Sequence, residues 1–122
     1  MYNVEEFITN LEGNQKKIAE YLQHILTEEF GLEAKIRFKI PFYFRKTWIC
    51  YLNPLKNDGI ELAFIRGNEL SNEFGSFDFK GRKQVMGVTL YSINDLSKNI
   101  LYNTLIEALT LDENVKYNVV KK

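Results

Sequence analysis

Over residues 34–40, Ala34, Ile36, Phe38 and Ile40 alternate with Lys35, Arg37 and Lys39, and no other stretch restricts the fold of this chain as tightly. Successive side chains of a strand point to opposite faces, so the pattern calls for a strand with one face buried and one in water. Pro41 ends that strand or places it at an edge or bulge, because proline has no N–H to give to a ladder. Residues 42–44 and 47–52 are rich in aromatic and β-branched side chains and read as further extended segments, with Arg45 and Lys46 as a tight turn between them. Asn53-Pro54 and Asn57-Asp58-Gly59 mark the next loop. Ile60, Leu62 and Phe64 then alternate around Glu61 in another strand, which Gly67 closes. Residues 68–83 read as a long surface loop with one helical turn near Leu70, and residues 85–91 as the last strand.

At both ends the apolar period is helical instead. Val4, Phe7, Ile8 and Leu11 recur behind Asn3, an N-cap with Glu6 at the third helical position. Gly13-Asn14 interrupts this short helix, and a longer one follows over residues 15–30, its stripe formed by Ile18, Tyr21, Leu22, Ile25 and Leu26 and its stop by Gly31. Ser92 with Asp95 resembles a capping box opening a final helix, on which Ile93, Leu96, Ile100, Leu101, Leu105, Ala108 and Leu111 share a face. The expected fold is therefore one α+β domain, with N-terminal and C-terminal helices packed on one face of an antiparallel sheet of about five strands. Its core is expected over residues 3–111, with 112–122 a frayed tail.

Apolar residues at 45% and aromatics at 14% are enough for a packed core. Sixteen basic against sixteen acidic residues cancel, which removes the strong field that non-specific nucleic-acid binding relies on. Nucleic acid is not the expected partner, and any basic footprint has to be local. No run approaches the roughly 18 apolar residues of a membrane span, and the first residues lack the basic-then-apolar pattern of a signal peptide. The lone Cys50 cannot form an internal disulfide, which fits a reducing, cytoplasmic setting.

Few motifs carry chemistry. Glu20, His24 and Glu28 lie four apart on a polar helix face, where carboxylates and imidazole could share a divalent metal, although one helix offers only part of a shell. Cys50 has no second cysteine, so zinc is not specified. The segment GSFDFKGRK, residues 75–83, resembles a phosphate loop only superficially: five residues separate Gly75 from Gly81, and arginine stands where lysine is required. Arg82 and Lys83 remain able to meet an anion. Lys35, Arg37 and Lys39 are expected on the sheet face away from the helices, with Tyr43, Arg45, Lys46 and Arg66 near in sequence. No Ser-His-Asp, Cys-His or tuned carboxylate pair is visible.

Ile40-Pro41-Phe42-Tyr43, then residues 60–64 followed by Gly67, and finally Gly81-Arg82-Lys83-Gln84-Val85 resemble the YdhG-like family of small bacterial proteins, a domain of unknown function. The resemblance covers about residues 3–111 and implies a frataxin-like fold. It also implies iron delivery to iron-sulfur and haem assembly through acidic residues of the first helices and adjacent strand, here Glu5, Glu6, Glu12, Glu20, Glu28, Glu29 and Glu33. This sequence departs from that pattern where Lys16, Lys17, Lys35, Arg37 and Lys39 intervene, and where Arg45-Lys46 replaces a usual glycine.

The leading expectation is a non-enzymatic binding or interaction module without a cofactor, taking a small anionic ligand or a protein partner at Tyr43, Arg66, Arg82 and Lys83. The alternative is an iron donor using Glu20, His24 and Glu28. A monomer and a homodimer are both compatible with the sequence, because Tyr102, Ile106 and Leu109 flank the final helix's core stripe as an apolar patch. Either a second copy or the apolar tail, with Val115, Tyr117, Val119 and Val120, is expected to cover them.

Overall fold

Asn3 caps the first helix as its position requires: its Oδ1 accepts the Glu6 N–H at 2.9 Å, and helix α1 runs Val4–Thr9 in the computed structural model, which describes residues 3–116. Helix α2 follows at Gly13–Gln23. The expectation of one regular helix through residue 30 needs correction, because His24–Glu29 form a π turn. There Phe30 N–H bonds to the carbonyl of Ile25, five residues back, at 3.0 Å. Gly31 stops the helix with a left-handed φ of 69°, and Leu32 N–H returns to Leu26 O.

Five strands follow: β1 Glu33–Arg37, β2 Ile40–Phe44, β3 Trp48–Pro54, β4 Ile60–Phe64 and β5 Met86–Leu90. They form one antiparallel sheet in the order β1-β2-β3-β4-β5, each strand beside its sequence neighbours. The strand expected over residues 34–40 is two strands joined by a turn. Phe38 and Lys39 both have positive φ, 52° and 69°, between the paired Arg37 and Ile40, the form of a two-residue hairpin turn. Ile40 consequently lies on the opposite face from Ile36. Pro41 fits inside β2 because pairing with β3 begins only at Phe42, so no ladder bond on that side requires its N–H.

The register assigns the faces. Tyr43, Cys50, Phe64 and Met86 form one cross-strand row, and Leu52, Leu62 and Val88 another, toward the helices. Ile18, Leu22 and Leu26 from the N-terminal helices pack into the same core as these rows, as do Leu101 and Leu105 near the C-terminus. A bulge beside Phe44 sets that residue opposite Trp48 and leaves Ile49 to turn into the core. The long segment after β4 opens with a 3-10 turn, Gly67–Glu69. It is pinned by buried Leu70, by Phe77 edge-on to Phe64 at 5.5 Å, and by a bridge from Asp78 to Gly87.

Ser92 caps a 3-10 turn, Ile93–Asp95, rather than the last helix: Ser92 Oγ accepts Asn94 N–H and the Asp95 carboxylate accepts Tyr91 N–H. Helix α3 begins three residues later, Lys98–Asn114, capped by Ser97 through Ile100 N–H. It passes the expected core limit at residue 111, and its buried Asp112 is part of the packing. The apolar patch expected on α3 does not form. Leu109 is buried in the core and Tyr102 packs edge-on to Phe30 at 5.3 Å, which leaves Ile106 exposed by itself. Tyr117, Val119 and Val120, which were expected to cover the patch, lie outside the described residues. Among the described residues no helix is long and apolar enough to cross a membrane.

Candidate functional site

The three helices of the described residues join the core on one side, so among those residues the second face of the sheet presents its own side chains outward. Its cross-strand row is Lys35, Phe42, Tyr51, Ala63 and Gly87, flanked by Arg37 with Ile40 and by Phe44 with Trp48. On β1–β3 the large side chains form an aromatic cluster. Phe42 and Tyr51 lie 4.9 Å apart at 31°, and Trp48 stands edge-on to Phe42 at 5.7 Å and to Phe44 at 5.1 Å. The Arg37 guanidinium covers them, 4.8 Å from the Trp48 ring, 4.9 Å from Phe38 and 5.4 Å from Phe42. Phe42 is thereby buried, whereas Phe38 at the turn is 75% exposed.

On β4 and β5 the row ends in small residues, and a carboxylate occupies the space above them. Glu61 is 3% exposed and accepts Arg82 at 2.7 Å, with Lys80 Nζ 3.4 Å away and also donating to Thr89. Arg82 bonds back to Phe79 O, and its guanidinium reaches Tyr51 Oη at 3.5 Å. Gly87 is required here, since a Cβ would fall 2.2 Å from Glu61 Oε2. Burial would raise the Glu61 pKa, but the Arg82 hydrogen bond and the charges of Arg82 and Lys80 outweigh it and hold the carboxyl below its ordinary value. The same pairing raises Arg82, while burial raises the Tyr51 phenol.

A depressed carboxylate stabilises the fold above its unfolded pKa, and that contribution is lost as pH falls through the folded value. Glu61→Gln is therefore expected to lower stability by about 2 kcal/mol at pH 7, less than a fully buried pair because both cations are partly in water. Denaturant melts from pH 7 to pH 3 should show the gap between wild type and variant closing in acid. A pH-independent gap would mean that packing, not charge, holds Glu61.

The structure does not bring the expected ligand residues together. Tyr43 is fully buried on the helix side, its hydroxyl donating to Gln23 Oε1 at 2.5 Å. Burial raises both this phenol and the neighbouring Cys50 thiol. Arg66 is 5% exposed, holds Glu69 through two nitrogens at 2.7 and 2.8 Å, and donates to Val115 O. Arg82 lies on the open face in the Glu61 group, and Lys83 is exposed beside it in the chain. Of the four, Arg82 alone is placed on the aromatic face through its own contacts. Phe38, Phe42, Trp48 and Tyr51 were missed; Phe42 and Phe44 alternate before the Arg45-Lys46 turn, but the bulge breaks the spacing beyond it.

Glu20, His24 and Glu28 line a groove of about 350 Å3 with Glu5 between α1 and α2. The π turn changes their spacing, because five residues rather than four now return to the same side. His24 accordingly meets Glu29, at 3.7 Å. Among the described residues no group of three or more His, Cys, Asp or Glu side chains is arranged to hold a metal ion. Comparison with protein-family models, curated proteins and solved structures finds no match to this chain.

Proposed function

We propose that this protein is a non-enzymatic binding module whose ligand rests on the open face of the sheet. The observation that carries this reading is the Arg37 guanidinium laid over Phe38, Phe42 and Trp48 on a face that, among the described residues, no helix covers. Large aromatics and arginine in contact at a surface are the residues that dominate binding energies, because they bury much area with little loss of side-chain freedom. The buried carboxylate of this face is committed to two cations, which favours binding over acid-base chemistry. The YdhG-like resemblance adds the expectation of a small bacterial α+β protein but points to a different surface, the acidic groove between α1 and α2.

A thermal-shift panel of metals, nucleotides, oligonucleotides, anions and metabolites tests the proposal on wild type and Arg37→Ala side by side. A ligand at 100 times its dissociation constant adds about 2.7 kcal/mol of stability, which a melting curve resolves. The expected result is a ligand that stabilises wild type and not the variant. A ligand that stabilises both equally would move the site off this face, and ferrous iron losing its effect in Glu20→Gln would move it to the groove.

A further inference from the structure

We propose that the ligand of this face is single-stranded nucleic acid; the inference rests on the reading of the open face as the binding surface and names what it holds. The chain is neutral as a whole, yet its charge is sorted between layers. Helices α1 and α2 with the π turn carry five glutamates and two lysines. Across the sheet, Lys35 and Arg37 on β1, Lys39 at the turn, and Lys80 and Arg82 from the loop, five in all, outnumber Glu33, Glu61 and Asp78. A polyanion therefore meets a local basic footprint on this side, next to the aromatic cluster.

The cluster has the form that base stacking needs. Phe42 is the floor, and Arg37, Phe38, Trp48 and Tyr51 are the side chains above or around it. Guanidinium planes and aromatic rings both stack on nucleobases, and every base has a face to offer. With strands about 4.8 Å apart, the platform on β1–β3 is about 10 Å across, room for the two or three bases that other sheet surfaces take. Phe38 adds an independent sign. A two-residue turn of this kind favours Asn or Gly, but here a phenylalanine adopts a φ of 52° and keeps 75% of its surface in water. The turn costs backbone strain, holds the ring beside Phe42 at 5.8 Å and Arg37 at 4.9 Å, and leaves most of it open to a stacking base. Duplexes hide their base faces, so they are expected to bind more weakly than single strands.

The test uses the protein's single tryptophan, Trp48, whose emission is quenched when a base stacks on the cluster. Oligothymidine and oligouridine of about 12 nucleotides, within the span that such surfaces occupy, are titrated into wild type, Phe38→Ala and Arg37→Ala. Melting curves first establish that both variants are folded. The expected result is saturable quenching that weakens about tenfold in each variant, the scale of one lost stacking contact. Neutralising about three phosphates gives log K a slope of about −2 against log salt. No binding below about 100 μM strand at low salt would overturn the proposal, as would equal binding of a duplex. If oligonucleotides fail while another panel ligand depends on Arg37, the ligand class is wrong and the face is right. If oligonucleotides bind and neither variant weakens them, the face itself is wrong.

Discussion

Gly67→Ala is expected to destabilise the protein by about 3 kcal/mol, at the upper end for overpacking, because the atoms in the way are not free to move. A Cβ at Gly67 would lie 2.3 Å from Met86 Cβ, 2.6 Å from Met86 N and 2.9 Å from Gln84 O. Met86 is 1% exposed and pairs with Phe64 as the first residue of β5, so relief requires the end of that strand to withdraw from the core. The Asn68 N–H to Gln84 O bond, 3.0 Å, holds the two segments together at this point. Urea melts of wild type and variant should show the loss as a lowered midpoint with an unchanged slope. A difference below about 1 kcal/mol would mean that the β4-to-β5 connection shifts without resistance, contrary to the contacts described.

Asp112→Ala is expected to lower stability by about 3 kcal/mol. The buried carboxylate accepts three hydrogen bonds from the β2–β3 turn: Lys46 N–H at 2.9 Å, Thr47 N–H at 3.1 Å and Thr47 Oγ1 at 2.6 Å. Bonds to a charged group contribute about 1.5 to 3 kcal/mol each, but the freed turn regains water, so the sum is discounted. Asp112→Asn keeps one oxygen and should lose about half as much. Amide hydrogen exchange provides a local check, since Lys46 and Thr47 should lose protection in Asp112→Ala before the rest of the sheet does. Unchanged exchange at both amides would show that α3 and the turn are held by other contacts, Lys46 with Glu113 among them.

The architecture was legible because hydrophobic period changes twice along the chain, and the structure has helical ends around an antiparallel sheet of five strands, with shifted bounds. Three local features were not. The Phe38-Lys39 turn has no glycine, asparagine or proline to announce it, and the apolar-basic alternation runs straight through it, so Ile40 was placed on the wrong face. The π turn at His24–Glu29 follows from no residue preference and still ends at the glycine that a regular helix would use. Asp112 looked like the start of a polar tail, because its two partners, Lys46 and Thr47, lie 66 and 65 residues away in sequence.

The site was less legible for a related reason. Arg66 and Tyr43 read as surface groups by residue type, but the structure encloses one beside Glu69 and the other beneath α2. Type alone does not separate a buried arginine with two partners from a free one. Phe42 and Phe44, with Trp48 and Tyr51, carried the pattern of an outward row, yet a bulge between Tyr43 and Phe44 shifts the spacing by one residue. That shift hides the row from simple counting and sends Ile49 inward in its place.

The sequential order of the sheet has a consequence for how the chain reaches this state. Every strand pairs with its immediate neighbour, so hairpins can close one after another over short loops, a route that favours fast early steps. The apolar side of that meander is another matter. Leu101, Leu105, Ala108 and Leu109 cover it from α3, which a ribosome delivers only after all five strands. Without α3 the side of the sheet that Ala108 closes beside Ile49 and Phe64 has no cover from that helix. A chain cut before Lys98, free of the ribosome, should bind a hydrophobic dye and a holdase chaperone, and the full chain should bind neither.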